Sequence, residues 1–287
     1  MKTIVDIKAG LGNQLFCYAF GYAVSRKTGS DLYIDTSVLD RKHIKDRYLE
    51  LLKFSVPYKK RISFFYTYNP ILKKFKFNRF MKRISIGLDT SVYKEQAKDV
   101  FDENVFKIVG NTYFDGYWQS YKYFDSYRDE LLDIITLDNK TEIEDYENTI
   151  IHSNSVSIHI RRGDYVSVGW GIPMDYYLKA IEELKNILSD QPLFAYVFSD
   201  DIDYAKEYFK ENPVDNVSFV YMDYLSDKKT IFDMYLMSCC KYNIIANSTY
   251  SWWAAYLNRN KDKIVICPEH DKWNINFYLP EWTMITV

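Results

Sequence analysis

Three short polar stretches hold the residues of this 287-residue chain best suited to chemistry: "HIRRGD" at 159–164, "SDD" at 199–201 and "NSTYS" at 247–251. An arginine guanidinium keeps its proton under ordinary conditions, and burying one without an anion costs several kcal/mol. Arg161 and Arg162 stand beside one loop carboxylate, Asp164, so one positive charge is left over. That surplus predicts an anionic ligand, most simply a phosphate gripped bidentately. Asn247, Ser248, Thr249 and Ser251 add short hydrogen-bonding side chains where a helix begins, and its free backbone N–H groups complete a cradle for a diphosphate. Ordinary N-capping explains the same residue types. Asp200 and Asp201 suit the N–H donors of a guanine edge or a ribose hydroxyl pair, with helix capping as the plain alternative. Asp201 and Asp203 also spell DxD, a metal-binding pattern. The helix expected after Asp201 turns Asp203 away from it, so no shared metal is expected.

A fourth stretch, "GLGNQLF" at 10–16, offers Gly12, Asn13 and Gln14 at a helix start. Gly10 and Gly12 after a strand, with Asp35 at the end of the next, invite a dinucleotide reading and hence an NAD-dependent oxidoreductase. The third glycine of GxGxxG would fall at position 15, which is Leu15, and the arginine pair stays unexplained. Asn13 and Gln14 read better as amides facing a ligand, with capping by Asn13 as the alternative.

Elements that could position these groups follow from the hydrophobic pattern. Strand 3–8 leads through a glycine turn to a helix over 12–29, where Leu15, Phe16, Ala19, Phe20, Ala23 and Val24 recur at helical spacing and Gly29 is the stop. Strand 31–35 completes a β-α-β unit and so a parallel sheet. From about residue 150, five strands (155–160, 194–199, 217–222, 242–246 and 262–267) alternate with helices in a doubly wound pattern. Each polar stretch of the second half begins where a strand ends. In an open parallel sheet those ends share one edge, where ligands bind at the switch point.

Composition bounds the rest. A net charge of -2 predicts no general affinity for nucleic acid. Cys17, Cys239, Cys240 and Cys267 lie in apolar segments without metal-ligand spacing, as free thiols of a reducing compartment would, and the cytoplasm is the expected location. No segment is apolar enough to span a bilayer or to act as a cleaved leader. Residues 57–88 carry nine Lys or Arg and no Asp or Glu. A solvated basic face, a dock on the anionic inner face of the membrane and a groove for an anionic acceptor are all compatible with that segment. An aromatic content of 18%, with 27 tyrosines, allows a non-catalytic sugar-binding protein as a further alternative.

Taken in order, "GLGNQLFCYAFGYAV", "VSIHIRRGDYV", "VFSDD" and "DMYLMSCCKYNIIANSTYSWWAAYL" resemble the successive motifs of the bacterial alpha-1,2-fucosyltransferases, glycosyltransferase family 11. The matches run from about residue 4 to residue 257, and HxRRGD with NSTxSWW is the most specific combination. The resemblance implies a GT-B-like α/β fold of two Rossmann-like domains whose parallel sheets face a central cleft. Residues 1–149 would be the acceptor-side domain and 150–287 the GDP-fucose-binding domain. It implies inverting transfer of L-fucose from GDP-beta-L-fucose to the 2-hydroxyl of a terminal galactose, without metal or other cofactor. By motif position Arg161 would bind the donor's beta-phosphate, His159 and Asp201 would lie near the guanosine, and Ser248, Thr249 and Ser251 would contact phosphate. Asn13 would face the sugar and phosphate. Arg161, Asp164 and His159 are the catalytic candidates, with Asp164 first and His159 second as the base, although Arg162 beside Asp164 weakens it in that role. Acceptor choice is expected in 57–88 and 111–123. The acceptor, the oligomeric state and the pathway (O-antigen, capsule or host-glycan mimicry) stay open.

Overall fold

The computed structural model describes residues 1–39, 48–62, 87–224, 229–270, 273 and 277–287. The chain forms two compact units, Met1–Asp138 and Asn139–Val287. Residues 139–149, assigned from sequence to the first domain, belong to the second unit. There the helix α3 (Glu144–Ile151) brings the Tyr146 ring to 5.4 Å from Tyr224, and Glu147 accepts hydrogen bonds from Lys140 and Tyr235.

In the first unit, strands β1 (Lys2–Asp6), β2 (Asp31–Asp35), β3 (Lys60–Ile62), β4 (Ser91–Lys94) and β5 (Thr112–Asp115) form a parallel sheet in the order β3-β2-β1-β5-β4. The first helix, α1 (Leu11–Thr28), is buried on nearly every side, and all six apolar positions picked out by spacing lie in the core. It packs so closely on β1 that a Cβ on Gly21 would stand 2.6 Å from a Val5 methyl, which is why a glycine is tolerated mid-helix. Phe20 stacks on Trp118 at 4.0 Å between ring centres, and Phe114 and Tyr123 meet it edge-on. Gly29 ends α1 with φ +65 and donates its N–H to the Ser25 carbonyl. The short helix α2 (Arg128–Ile134) lies near the end of this unit.

The second unit holds β6 (Ser155–Ile160), β7 (Leu193–Ser199), β8 (Val217–Tyr221), β9 (Tyr242–Ile244), β10 (Val265–Glu269) and β11 (Thr283–Thr286) in one parallel sheet. Their order is β11-β10-β9-β6-β7-β8. The five strands expected from sequence are present, and β11 joins them at the edge. Between them run α4 (Gly163–Ser167), α5 (Asp175–Ile187), α6 (Ile202–Glu211), α7 (Lys229–Cys239) and α8 (Thr249–Leu257). β6 reads as an unbroken buried run because both faces of a parallel sheet are covered. The chain winds outward from β6 through β7 and β8, then returns to β9 and winds the other way. The switch point therefore falls between β6 and β9.

Among the described residues no helix is long and apolar enough to cross a membrane. Most of the basic segment 57–88 lies outside the described residues; within them, Lys60–Ile62 is the edge strand β3. The stretch 111–123 is largely structural, since β5 is built from it and pairs with β1 and β4. Burial pushes the Cys17 thiol up to about 12 and Cys239 up to about 11, so neither ionises at neutral pH.

Candidate active site

The loops after β6, β7 and β9 leave the same edge of three adjacent strands, so "HIRRGD", "SDD" and "NSTYS" do converge on the switch point of the second sheet. The register pairs Ile160 with Ser199, which sets Arg161 beside Asp200. Arg161 Nη1 lies 2.7 Å from Asp200 Oδ2, and Nη2 donates to Asp164 Oδ1 at 2.5 Å. The Arg162 N–H donates to Asp200 Oδ1 at 2.8 Å, and its Nε donates to Asp201 Oδ2 at 3.0 Å. The Arg162 guanidinium also covers the Tyr204 ring at 3.3 Å, a cation–π contact.

The expected surplus of positive charge is therefore corrected: two guanidiniums meet three carboxylates. The reason is the strand pairing, which brings Asp200 and Asp201 onto the arginines. Both oxygens of Asp200 are taken by the arginine loop, which does not fit its assignment to a guanine edge or ribose, whereas Asp201 meets Arg162 through Oδ2 and its side chain is 44% exposed. Gly163 is part of the same arrangement, because a Cβ there would stand 2.6 Å from Asp200 Oδ2. Asp203 pairs with Lys206 at 3.2 Å, so the two carboxylates of the DxD spelling serve different cations. Among the described residues no cluster of three or more metal-type side chains occurs.

His159, the penultimate residue of β6, is buried, and its Nδ1 has no hydrogen-bond partner among the described residues. Burial, with Arg161 adding repulsion, pushes its pKa down to about 3. The imidazole is neutral at pH 7 and too weak a base for the second-choice role assigned from sequence. Its ring centre lies 5.2 Å from that of Tyr250.

In the third loop Ser248 caps α8, accepting the Tyr250 N–H at 3.3 Å, and Thr249 opens the helix. Two residues of this group hold the loop itself. Asn247 is fully buried; its Nδ2 donates to the Trp170 carbonyl at 2.9 Å, and its own carbonyl accepts from Trp273 Nε1. Ser251 is fully buried with its hydroxyl directed at the carbonyls of Ala246 and Ser248. The phosphate role expected of Ser251 is corrected on that ground, which leaves Ser248, Thr249 and the N-terminal backbone of α8.

The first unit has its own switch point, between β1 and β5. Gly12 is buried inside α1. Gln14 is not a ligand-facing amide: its Nε2 donates to the carbonyls of Ala9 and Tyr48, and its Oε1 accepts the N–H groups of Glu50 and Leu51. Every hydrogen-bonding position of that amide is filled by backbone. Asn13 is partly exposed, and its Oδ1 accepts from Gln119 Nε2. Asp35, needed by the dinucleotide reading for a ribose, is buried and accepts from Tyr113 Oη and the Ser37 N–H.

Sequence reasoning missed the partners of Asn13 at this edge. Gln119 and Ser120 follow β5; Gln119 Oε1 and Ser120 Oγ are buried without partners among the described residues. Glu95, after β4, accepts the N–H groups of Tyr117 and Trp118 at 2.7 and 2.9 Å, and burial holds its pKa above the usual carboxylate range. The Lys8 ammonium lies 2.8 Å from Asp115 and 3.4 Å from Asp6; burial disfavours its charge, but the two carboxylates outweigh that and raise its pKa. Only a tertiary pairing of β1 with β5 reveals this group.

The family model described as Glycosyl transferase family 11 matches residues 3–286. The chain belongs to glycosyltransferase family 11. As a family 11 member it is similar to the O-antigen biosynthesis glycosyltransferase WbnK of Escherichia coli, at 35% identity with 93% of each chain covered. It is also 31% identical to an alpha-1,2-colitosyltransferase of the same species, covering 93% of this chain and 91% of that one. Among solved structures, the NodZ alpha-1,6-fucosyltransferase soaked with GDP-fucose superposes with a TM-score of 0.50 at 16% identity, over 89% of this chain and 92% of that one. The fold is α/β and GT-B-like, and the enzyme is a glycosyltransferase, which sets aside the oxidoreductase and the non-catalytic sugar-binding alternatives.

Proposed function

We propose that this family 11 enzyme transfers L-fucose from GDP-beta-L-fucose to the 2-hydroxyl of a terminal galactose in a glycan, with inversion and without a metal. The observation that carries the reading is the convergence of Arg161 and the N-terminus of α8 on one switch point, in a chain whose relatives include an alpha-1,2-glycosyltransferase. Arg161 takes the beta-phosphate, with Ser248, Thr249 and the first backbone N–H groups of α8 on the remaining oxygens.

Direct displacement at the anomeric carbon leaves GDP with one more negative charge than it carried in the donor. Donors fixed on that departing oxygen bind the transition state more tightly than the ground state, and this difference is what accelerates the step. The accepting hydroxyl must also lose a proton. Asp164 holds that role better than His159, whose imidazole has little affinity for a proton.

A second reading is supported by the colitosyltransferase relative. Colitose is L-fucose without its 3-hydroxyl, so one site could be built for either sugar. A site that hydrogen-bonds the 3-hydroxyl rejects the deoxy sugar strongly, whereas an apolar one discriminates weakly. The test is product NMR after incubation of the protein with GDP-fucose or GDP-colitose and lactose, lacto-N-biose or N-acetyllactosamine, with and without EDTA. Fucosylation at the galactose 2-position in EDTA is the expected outcome. Transfer to another position, a preference for GDP-colitose, or a loss of activity rescued by manganese would overturn the corresponding part.

A further inference from the structure

Two guanidiniums facing three carboxylates make a poor reception for a pyrophosphate unless one carboxylate gives way. We propose that Arg161 is held by two carboxylates with different tasks: Asp200 is a fixed bracket that positions the guanidinium, and Asp164 is an exchangeable counter-ion whose place on Nη2 is taken by a phosphate oxygen. This rests on the GDP-sugar reading and adds to it a carboxylate-for-phosphate exchange.

Asp200 cannot leave cheaply. One oxygen lies against Arg161 Nη1, the other accepts the Arg162 N–H, and the first also fills the space above Gly163 where a side chain would stand. It is anchored directly after β7, at the position the sheet register sets beside Arg161. Its side chain is 26% exposed. Asp164 differs in placement and exposure. It sits in the first turn of a five-residue helix, reaches Arg161 from three residues along the same loop, and its side chain is 49% exposed. A phosphate oxygen offers Nη2 the same charge-assisted hydrogen bond as a carboxylate oxygen does. Exchange at Nη2 therefore preserves the arginine's contacts while taking one negative charge away from the incoming phosphate. Exchange at Nη1 would instead strand the Arg162 N–H and release the side chain that aims Arg161.

The two aspartates then affect nucleotide affinity in opposite directions. Calorimetric titration of GDP, with guanosine as the control, would be run on the wild-type chain and on D164N, D164E and D200N, each checked by thermal denaturation. Removing a half-exposed competitor is expected to lower the Kd of D164N for GDP about three- to tenfold, with guanosine unmoved. D164E, which keeps the charge, stays near wild type, and D200N binds GDP about tenfold more weakly. GDP binding by D164N that is equal to or weaker than wild type, with the wild type binding normally, overturns the exchange and leaves the nucleotide reading intact. No GDP binding by the folded wild-type chain sinks both. If D200N does not fold, the comparison of D164N with D164E decides the matter.

Discussion

The substitution Gly163→Ala tests the packing of the arginine loop with a single methyl group. Gly163 opens α4 outside the left-handed region, so alanine is acceptable to the backbone; at such positions it ordinarily stabilises by about 0.4–1 kcal/mol through the unfolded state. Here the new Cβ would stand 2.6 Å from Asp200 Oδ2, against 3.4 Å for an ordinary contact, so the carboxylate must retreat by about 0.8 Å. A retreat of that size stretches its contacts at 2.7 and 2.8 Å to Arg161 and to the Arg162 N–H beyond hydrogen-bond range. With Arg161 and Asp200 partly exposed, each loss is worth about 1 kcal/mol rather than the larger figure for a fully buried charged pair. Net destabilisation is then about 1 kcal/mol, a fall in Tm of about 2–4 °C for a chain of this size. The larger effect is on the aim of Arg161: GDP affinity is expected to drop about tenfold. Thermal denaturation and calorimetric titration with GDP read both. An alanine variant with a raised Tm and wild-type GDP affinity would refute the argument that Asp200 is wedged over Gly163.

Four further outcomes are expected. Arg161→Ala should fold normally but lose at least about a hundredfold in kcat, measured by GDP release, as the proposed role on the departing phosphate requires; turnover near wild type would remove Arg161 from the mechanism. Gln14→Leu should destabilise by about 2–4 kcal/mol in urea, since it leaves the buried Leu51 N–H and two part-buried backbone groups of the 48–51 segment unpaired; a change within error would return Gln14 to the ligand. His159 has its folded pKa depressed to about 3, so the unfolded state takes up the proton first and the chain loses stability as pH falls from about 6.5 toward 3. In His159→Phe the part of the acid sensitivity lying in that window should vanish, and identical pH profiles of Tm for variant and wild type would contradict it. Changing Lys73, Lys74 and Lys76 to Ser should leave GDP binding untouched while altering vesicle partition or acceptor preference; no change in either would make that segment a plain solvated face.

What the sequence disclosed about the second unit follows from how a parallel sheet writes itself. Runs such as Ser155–Ile160 are buried on both faces, strands and helices alternate, and the polar residues fall where strands stop. Convergence of the three loops was therefore legible. Their charge balance was not, because it depends on which strands are neighbours: Asp200 follows Arg161 by 39 positions but sits beside it once β6 and β7 pair. In the first unit β1, α1 and β2 were legible from periodicity. The strands β3, β4 and β5 were not, being only three or four residues long. Gln14 shows the same limit at a single residue. An amide at a helix start has the same letter whether it meets a ligand or the backbone of Tyr48 to Leu51, and only the tertiary fold distinguishes them.

The seam after Asp138 has a practical use. Among the described residues each sheet lies within its own unit, and no strand pairs from one to the other. A gene fusion that joins residues 1–138 of this chain to the corresponding second half of a relative cuts no β-ladder. Recombination at this one position would give hybrids whose halves keep their own hydrogen-bonded frameworks.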